Sequence, residues 1–307
     1  MPRTIAICNQ KGGVGKTTTA VNLSAALALA GVRVLLVDLD PQANATGGIG
    51  VDKSKIEGSV YDLLVEEEPL PKILIDTQIK NLKLIPSKIA LSGADLELAS
   101  AIGRERRLKK ALSQAMKDFD IILIDCPPSL GLLTVNALAA ADSVLVPLQC
   151  EYYALEGLSQ LTETIRLVQE NLNPELVIEG VLLTMADYRT KLTGDVIQEV
   201  RKFFGSKVYE IVVPRSVRLS EAPSHGLPIA LYDPQSPGAK SYQALALTLK
   251  EKWHAGDTGI GQGDSGADSG GGDAPEGAGQ PDQDRSDSPE SVPAAPEVRR
   301  NEDPGTR

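Results

Sequence analysis

Cysteine and histidine are both scarce in this chain of 307 residues, which contains three cysteines and two histidines. Cys8, Cys126 and Cys150 include no close pair and no Cys-x-x-Cys spacing. Because an odd set of separated thiols does not build a disulfide framework, we expect a protein of a reducing compartment. Iron–sulfur and zinc sites need clustered thiolates or imidazoles, so the sequence argues against both.

The chain also lacks the features of a membrane protein. Its longest apolar runs are too short to span a bilayer, and no signal peptide precedes the first predicted strand. Its C-terminus carries no basic amphipathic helix of the kind that lies in a bilayer surface. We therefore expect a cytoplasmic protein without a membrane partner.

The C-terminal segment is poor in the residues that build a core. Residues 255–307 have no aromatic side chain, and their 12 acidic and 4 basic residues give −8 of the chain's net charge of −10. Such a segment cannot bury enough apolar surface to offset the entropy lost on ordering. We therefore predict a folded domain over 1–254 and a disordered, acidic Gly-, Pro- and Ser-rich tail over 255–307. The tail is either a solvated extension or a segment that repels DNA or binds a basic partner.

The rest of the chain shows a regular alternation of short apolar runs with helical patterns. The helical patterns include 17–31, 104–117 and 157–171. Continuous apolar runs suit parallel strands that are covered on both faces. The alternation therefore predicts an α/β fold with a doubly wound, mostly parallel sheet and helices on both faces. The predicted strands are 4–8, 33–40, 82–86, 120–128, 143–148, 176–184 and 207–214.

The segment NQKGGVGKTT, residues 9–18, lies between the first predicted strand and a predicted helix. Its glycines let successive N–H groups point at phosphate oxygens, and the helix N-terminus adds partial positive charge. In a loop of this type Lys16 reaches the β- and γ-phosphates of a nucleotide, and the Thr17 hydroxyl binds Mg²⁺. The phosphate-binding residues predicted in this way are Gly12, Gly13, Val14, Gly15, Lys16, Thr17 and Thr18.

Acidic residues end two of the predicted strands. Asp38 and Asp40 close the run RVLLVDLD, and Asp125 closes the run DIILID. An acid after four hydrophobic residues is the usual carrier of a water-mediated Mg²⁺ contact, whereas one such acid alone is equally a turn or cap residue. Because ligands of open α/β sheets bind at the carboxyl ends of the strands, the acids and the loop predict a single site.

Four segments together resemble the ParA/Soj family of partition ATPases, in the deviant Walker A group of P-loop NTPases that also contains MinD: NQKGGVGKTT, VDLDPQANAT, IDCPPSLG and RLSEAPSHGLPI. The resemblance extends from Pro2 to about Trp253. It implies an ATP hydrolase that uses ATP and Mg²⁺. It also implies a role for Lys11, which follows Gln10 where the usual loop has a glycine. In this family the early lysine contacts the phosphates bound to the other subunit, so ATP favours a homodimer and hydrolysis releases it.

The same resemblance implies roles for residues outside the loop. It makes Asp40 the residue that orients the attacking water, so that the catalytic residues are Lys11, Lys16 and Asp40. It makes Asp125 a water-mediated support of Mg²⁺ and Asp38 a weaker one. It places the adenine near 184–186 and near Pro214 and Ser216, where the family often has asparagine in place of Ser216.

Three functions fit these features. The first is a DNA-dependent partition ATPase, stimulated by a ParB-type centromere-binding protein and associated with the nucleoid. The second is a MinD-like membrane-cycling or other cargo-positioning ATPase, and the third is a metabolic P-loop enzyme such as a small-molecule ligase. The acidic, Gly-rich C-terminus counts against the second.

The first function needs a local basic patch, since residues 1–254 carry a net charge of only −2. Candidate residues are Arg189, Lys191, Lys202, Arg215 and Arg218, and the resemblance indicates Arg189 and Arg218 in particular. A dimer would double the phosphate contacts and bind double-stranded DNA without reading its sequence.

Overall fold

One sheet of eight strands organises the chain. The computed structural model describes residues 2–113, 116–151 and 158–258. The strand order across the sheet is β3-β4-β2-β5-β1-β6-β7-β8, and every pairing is parallel except that of β3 with β4. The strands are β1 (Arg3–Ile7), β2 (Val34–Asp38), β3 (Ile75–Asp76), β4 (Leu82–Ile85), β5 (Ile121–Asp125), β6 (Ser143–Gln149), β7 (Val177–Ala186) and β8 (Val208–Pro214).

Helices connect the strands. The α-helices are α1 (Lys16–Leu29), α2 (Asn44–Gly48), α3 (Val60–Leu64), α4 (Leu70–Ile73), α5 (Ala94–Glu97), α6 (Arg107–Leu112), α7 (Leu132–Ala140), α8 (Leu158–Asn171), α9 (Lys191–Phe204), α10 (Val217–Glu221), α11 (Ile229–Tyr232) and α12 (Pro237–Thr258). Short 3₁₀ turns lie at Lys53–Lys55, Ile89–Gly93, Arg104–Arg106, Gly205–Lys207 and Ala222–His225. No helix in the described part of the chain is both long and apolar enough to cross a membrane.

The predicted fold class is confirmed. Seven predicted apolar runs coincide with β1, β2 and β4–β8, and the sheet is mostly parallel. The predicted helix over 104–117 is wrong in extent, because residues 104–106 form a 3₁₀ turn and α6 ends at Leu112. There the Ser113 hydroxyl donates to the Lys110 carbonyl oxygen at 2.6 Å, a local bond that competes with helix continuation. Residues 114, 115 and 157 of the predicted helices lie outside the described residues.

The chain divides into two compact units, residues 1–250 and 251–307. Of the second unit the structure describes 251–258, which are helical. The predicted boundary at residue 254 therefore falls within α12, and residues 259–307 of the predicted tail lie outside the described residues. The division into a domain and a disordered tail stays a prediction.

Strand register brings the functional candidates to one edge of the sheet. β2 and β5 are buried at every residue, which explains their continuous apolar sequence. Asp125 at the end of β5 is in register with Ile7 of β1 on one side and with Asp38 of β2 on the other. The phosphate loop and both predicted acidic strand ends therefore start from three adjacent strands.

Candidate nucleotide site

The phosphate loop between β1 and α1 has the backbone that its glycines predict. Gly13 (φ 74°) and Gly15 (φ 90°) both adopt the left-handed conformation, which disfavours a side chain. A Cβ atom built on Gly12 or Gly13 would meet nothing within 4 Å. The loop therefore presents its backbone to open space, as a phosphate cradle requires.

Two distant strands hold this loop in place. The Asn9 side chain donates to the Pro147 carbonyl oxygen at 2.8 Å and accepts the Lys11 N–H at 3.0 Å. The Thr184 hydroxyl donates to the Val14 carbonyl oxygen at 2.8 Å. Because these partners come from β6 and β7, the loop conformation depends on the assembled sheet as well as on its own glycines.

Lys16 is a buried cation at the start of α1. Its Nζ donates to the Lys11 carbonyl oxygen at 3.0 Å, so the side chain folds back over the loop. Burial lowers the pKa of the Lys16 ammonium, and the nearby Asp125 carboxylate opposes this change. Anionic phosphate oxygens would give this buried ammonium the negatively charged partner that stabilises its protonated form.

Asp125 is a buried carboxyl beside the Thr17 hydroxyl and the Lys16 ammonium. It is fully buried, and neither of its oxygens accepts a hydrogen bond of good geometry from a described residue, although the Thr17 hydroxyl is close enough to act on it. Burial raises its pKa well above the ordinary value, the Asp38 carboxyl raises it further, and the Thr17 hydroxyl and Lys16 act in the opposite direction. A divalent cation or its bound water would satisfy both oxygens, so the donor set fits Mg²⁺.

No group of three or more His, Cys, Asp or Glu side chains forms a metal site within the described ranges. P-loop proteins do not need such a cluster to bind Mg²⁺. The ion keeps several waters and takes only one or two protein ligands, with phosphate oxygens completing its coordination. The protein groups that would hold it here are the Thr17 hydroxyl and, through water, Asp125.

Asp38 differs from Asp125 because protein donors occupy its oxygens. Its Oδ2 accepts the N–H and the hydroxyl of Thr46 at 2.7 and 2.6 Å, and its Oδ1 accepts the Asp40 N–H at 3.2 Å. Burial raises the pKa of Asp38 to about 6, against the effect of the Thr46 hydrogen bonds. The predicted weaker metal role of Asp38 is therefore less well supported than that of Asp125.

Asp40 lies two residues beyond β2 and is mostly buried. Its Oδ1 accepts the Gln42 N–H at 2.9 Å, and its carbonyl oxygen accepts the Ala43 N–H at 2.9 Å. This tight turn fixes the direction of the carboxylate, and Oδ2 takes no part in it. The geometry fits a group that orients a water at the edge of the site.

The Lys11 side chain, predicted to cross to another subunit, contacts Glu151 of its own chain. The two charged atoms are 3.4 Å apart, and the Lys11 and Glu151 side chains are one third and one half exposed. Such an exposed ion pair contributes about 0–1 kcal/mol, so Lys11 can exchange this partner at little cost.

The predicted adenine contacts come together beside the loop. Pro214 of β8 is in register with Ala186 of β7, and the Thr184 side chain lies 3.8 Å from a Cβ built on Gly15. Ser216 is the N-cap position of α10. Thr184 is therefore beside the phosphate loop, while Ala186 and Pro214 lie together at the ends of β7 and β8, and the adenine contacts themselves stay predictions.

A pocket of about 430 Å³ opens beside Thr17 and Thr18. Part of its lining comes from the segment RLSEAPSHGLPI, from residues for which the sequence predicts no role in the site. They are Ala222, Pro223 and Leu227, and they face Asn44, Gly47 and Gly48 of α2. The volume lies within the range of small-ligand pockets, so this cleft is a second candidate location for part of the nucleotide.

The family model described as "AAA domain" matches residues 2–178. The chain is 61% identical over 246 residues to the sporulation initiation inhibitor protein Soj of Bacillus subtilis (strain 168), across 80% of this chain and 97% of that protein. It is 55% identical over 250 residues to the chromosome partitioning protein ParA of Myxococcus xanthus (strain DK1622), across 81% and 88%. The chain belongs to the Soj/ParA family.

One solved structure of similar sequence is named as a biosynthetic enzyme. It is that of cobyrinic acid a,c-diamide synthase from Mycobacterium smegmatis with bound ADP and magnesium. It matches with a TM-score of 0.74 and 41% identity, and the match covers 83% of this chain and 97% of that chain. The sequence identity of this chain to Soj and ParA, 61% and 55%, is higher than its identity to the synthase. Its fold is that of a P-loop NTPase.

The two arginines predicted to bind DNA follow the neighbouring strands β7 and β8. Arg189 is 87% exposed and pairs with Asp187 at 2.5 Å. Arg218 is 58% exposed and pairs with Glu221 at 3.2 Å. Arg215 is also exposed, and its N–H donates to the Ala186 carbonyl oxygen at 3.0 Å, which joins the two loops. Arg218 also pairs with Asp233 at 3.6 Å, so three carboxylates of the same subunit largely balance the charge of these three arginines.

Gly50, just after α2, packs closely against Gly226 in the segment that follows Arg218. This contact allows a stability prediction. A Cβ built on Gly50 (φ +92°) would lie 2.6 Å from the Gly226 carbonyl oxygen. Gly50→Ala should therefore suffer both backbone strain and a clash, and lower the free energy of unfolding by about 2–4 kcal/mol. Urea unfolding would measure this loss.

Gly31→Ala is the matched control. Gly31 has a similar φ of +87°, but a Cβ there would meet nothing within 4 Å. It should therefore show the strain alone, about 1 kcal/mol. Equal losses in the two variants would show that the Gly50–Gly226 contact adjusts without cost.

Proposed function

We propose that this chain hydrolyses ATP to ADP and phosphate, with Mg²⁺ as cofactor, in the partition of DNA. The observation that carries the proposal is the combination of an open phosphate loop, the buried Lys16 and the buried Asp125 carboxyl, whose oxygens lack a well-formed hydrogen bond, at adjacent strand ends. Soj and ParA relatives with 61% and 55% identity support the biological role. The solved structure with bound ADP and magnesium supports an adenine nucleotide and Mg²⁺ as ligands.

In this proposal the chain's own groups bind ATP and orient the attacking water. The loop N–H groups and the Lys16 ammonium hold the β- and γ-phosphates, and Asp40 orients a water in line with the γ-phosphate. Phosphoryl transfer depends on positioning and charge stabilisation more than on covalent help from the protein. Mg²⁺, held by Thr17 and through water by Asp125, supplies positive charge to the phosphates when it is bound.

ATP also controls association in this proposal. Lys11 leaves Glu151 and contacts the phosphates held by a second subunit, so the γ-phosphate becomes part of the dimer interface. ADP lacks that charge, so hydrolysis weakens the dimer. A ParB-type protein bound at the centromere stimulates hydrolysis, and the weak basal rate preserves the dimer until then.

The ATP dimer binds double-stranded DNA without sequence preference, which places the protein on the nucleoid in the cytoplasm. Arg189 and Arg218 of both subunits contribute phosphate contacts. Arg189 must exchange Asp187, and Arg218 must exchange Glu221 and Asp233, for DNA phosphates, and exposed ion pairs of this kind contribute only about 0–1 kcal/mol each. Phosphate contacts carry no base information, so unrelated DNA sequences should bind alike.

Arg189→Ala and Arg218→Ala should each weaken DNA binding by the ATP dimer. Each removes one phosphate contact per subunit, so the slope of log affinity against log salt should shrink by about 1–2 units per dimer. DNA titrations at several salt concentrations, with an ATP analogue that is not hydrolysed, would measure both the affinity and the slope.

Arg166→Ala is the matched control for this experiment. Arg166 is 53% exposed and paired with Glu163, much as Arg218 is paired with Glu221, but it lies on α8. It should retain the parent's salt slope. A parent dimer that fails to bind DNA even at low salt would contradict the partition function itself, and retained slopes in both patch variants would contradict the location of the patch.

The metabolic neighbour supports a second candidate, a P-loop enzyme that uses ATP to activate a small molecule. The 41% identity to cobyrinic acid a,c-diamide synthase is the observation in its favour. This candidate predicts no ATP-dependent DNA binding, and so does a membrane-cycling ATPase. The DNA titration of the parent protein therefore separates the partition function from the other two candidates.

A further inference from the structure

Thr46 is a fully buried polar residue whose side chain faces Asp38 rather than the phosphate loop. It lies in α2, six residues after Asp40. Its N–H and its hydroxyl both donate to Asp38 Oδ2, and its Oγ1 accepts the Ser87 N–H at 3.0 Å. Asp38 Oδ1 in turn accepts the N–H of Asp40 at 3.2 Å. A continuous chain of hydrogen bonds therefore runs from Ser87 through Thr46 and Asp38 to the backbone of Asp40.

The helix that carries Thr46 has little stability of its own. α2 has five residues and no side-chain cap, and the residue before it, Ala43, adopts a left-handed conformation with φ 54°. A helix of this length is unstable in isolation, and a left-handed alanine costs about 1–2 kcal/mol. Contacts with the surrounding fold must therefore hold the turn between β2 and α2. The hydrogen bonds of Thr46 are among these contacts, because they tie α2 to Asp38 at the end of β2.

The Thr46 bonds also act on the carboxylate they contact. Asp38 is fully buried and in register with Asp125, so only protein donors can satisfy its oxygens and fix its direction. Thr46 provides two of its three hydrogen bonds, and Asp40 provides the third. Without the hydroxyl, Asp38 would be freer to rotate, and the N–H of Asp40 would lose a fixed acceptor.

We propose that Thr46 is a positioning residue for ATP hydrolysis, which acts through Asp38 to hold Asp40 in the orientation that directs the water. The inference rests on the proposed function, since it assigns to Asp40 the task of orienting that water. Thr46 itself contacts no phosphate in this scheme. Its loss should therefore reduce turnover while ATP still binds to the phosphate loop.

The substitution Thr46→Val tests this inference because it removes the hydroxyl and keeps the size and the backbone N–H. We expect the kcat for ATP hydrolysis to fall about 10- to 100-fold, the cost of a misplacement near 1 Å. The Kd for an ATP analogue should change less than about threefold, because the loop and Lys16 are intact. Thr46→Ser, which keeps the hydroxyl, should retain turnover close to the parent's.

Thr134→Val is the matched control for loss of a buried threonine hydroxyl. Thr134 is fully buried on α7, and its Oγ1 donates to the Ser129 carbonyl oxygen at 2.5 Å. It should lower the Tm to a similar degree without the drop in kcat. In an Asp40→Ala background, Thr46→Val should produce little further loss, because residues that act as one unit are not additive.

The outcomes separate this inference from the function on which it rests. A parent protein without ATP hydrolysis contradicts the proposed function. A parent that hydrolyses ATP, together with a Thr46→Val variant of unchanged kcat, contradicts the positioning role alone. Equal losses of kcat and ATP affinity, or a Thr46→Ser variant as poor as Thr46→Val, would show that Thr46 supports the fold of the site and has no specific effect on Asp40.

Discussion

Replacing Lys16 by alanine should abolish ATP binding to the isolated subunit. The Lys16 ammonium is buried at the loop, and its Nζ is already directed inward, 3.0 Å from the Lys11 carbonyl oxygen. The β- and γ-phosphates would lose a desolvated charge partner, a change that typically costs about 3–5 kcal/mol. This corresponds to a loss of affinity of more than about 100-fold, which calorimetric titration with Mg-ATP would measure.

Lys11→Ala provides the decisive contrast within the same loop. Lys11 is partly exposed and pairs with Glu151, so its removal takes nothing from the cradle of its own subunit. The Kd for ATP in the monomer should change less than about threefold, since exposed pairs contribute about 0–1 kcal/mol. Light scattering should nevertheless show that the ATP-dependent dimer is lost. If both variants lose monomer affinity equally, Lys11 acts within its own subunit and the proposed interface is wrong.

The sequence predicted the strands well because their signal is local. β1, β2 and β4–β8 are continuous apolar runs with both faces covered, so each run identifies its own strand. β3 was missed because it has two residues and pairs antiparallel at the edge of the sheet. Short helices such as α2 were missed for a related reason, since distant contacts hold them and their sequence has no helical period.

The phosphate loop shows where local prediction ends. Its glycines and Lys16 are readable from spacing alone. The hydrogen bonds that fix it come from Pro147 and Thr184, which are 138 and 170 residues away from their partners. No spacing rule connects these positions, so only the assembled sheet reveals them.

The two acidic strand ends show the same limit more sharply. From the sequence, Asp38 and Asp125 are equivalent acids, each at the end of an apolar run. In the structure Thr46 and the Asp40 N–H occupy the oxygens of Asp38, whereas those of Asp125 accept no hydrogen bond of good geometry from the described residues. The division of labour that we propose, between a positioning acid and a metal-supporting acid, therefore depends on which neighbour the fold brings to each.

Asp40→Ala should preserve ATP binding and the ATP dimer while turnover falls at least about 100-fold. The phosphate cradle, Lys16 and Asp125 all lie outside the turn that Asp40 begins, so the ground-state contacts of ATP are unchanged. Only the attacking water loses the group that orients it, and removing one such group typically costs about 100- to 1,000-fold in kcat. Phosphate release under single-turnover conditions would measure the loss.

Asp40→Asn separates the chemistry of Asp40 from its structural role. The asparagine oxygen can still accept the Gln42 N–H that Asp40 Oδ1 accepts at 2.9 Å, so the turn should persist. A neutral amide polarises water less than a carboxylate does, and we expect turnover to remain at least about tenfold below the parent's. Full turnover in Asp40→Asn would show that Asp40 only shapes the turn. Parent-like turnover in Asp40→Ala would exclude any role in orienting the water.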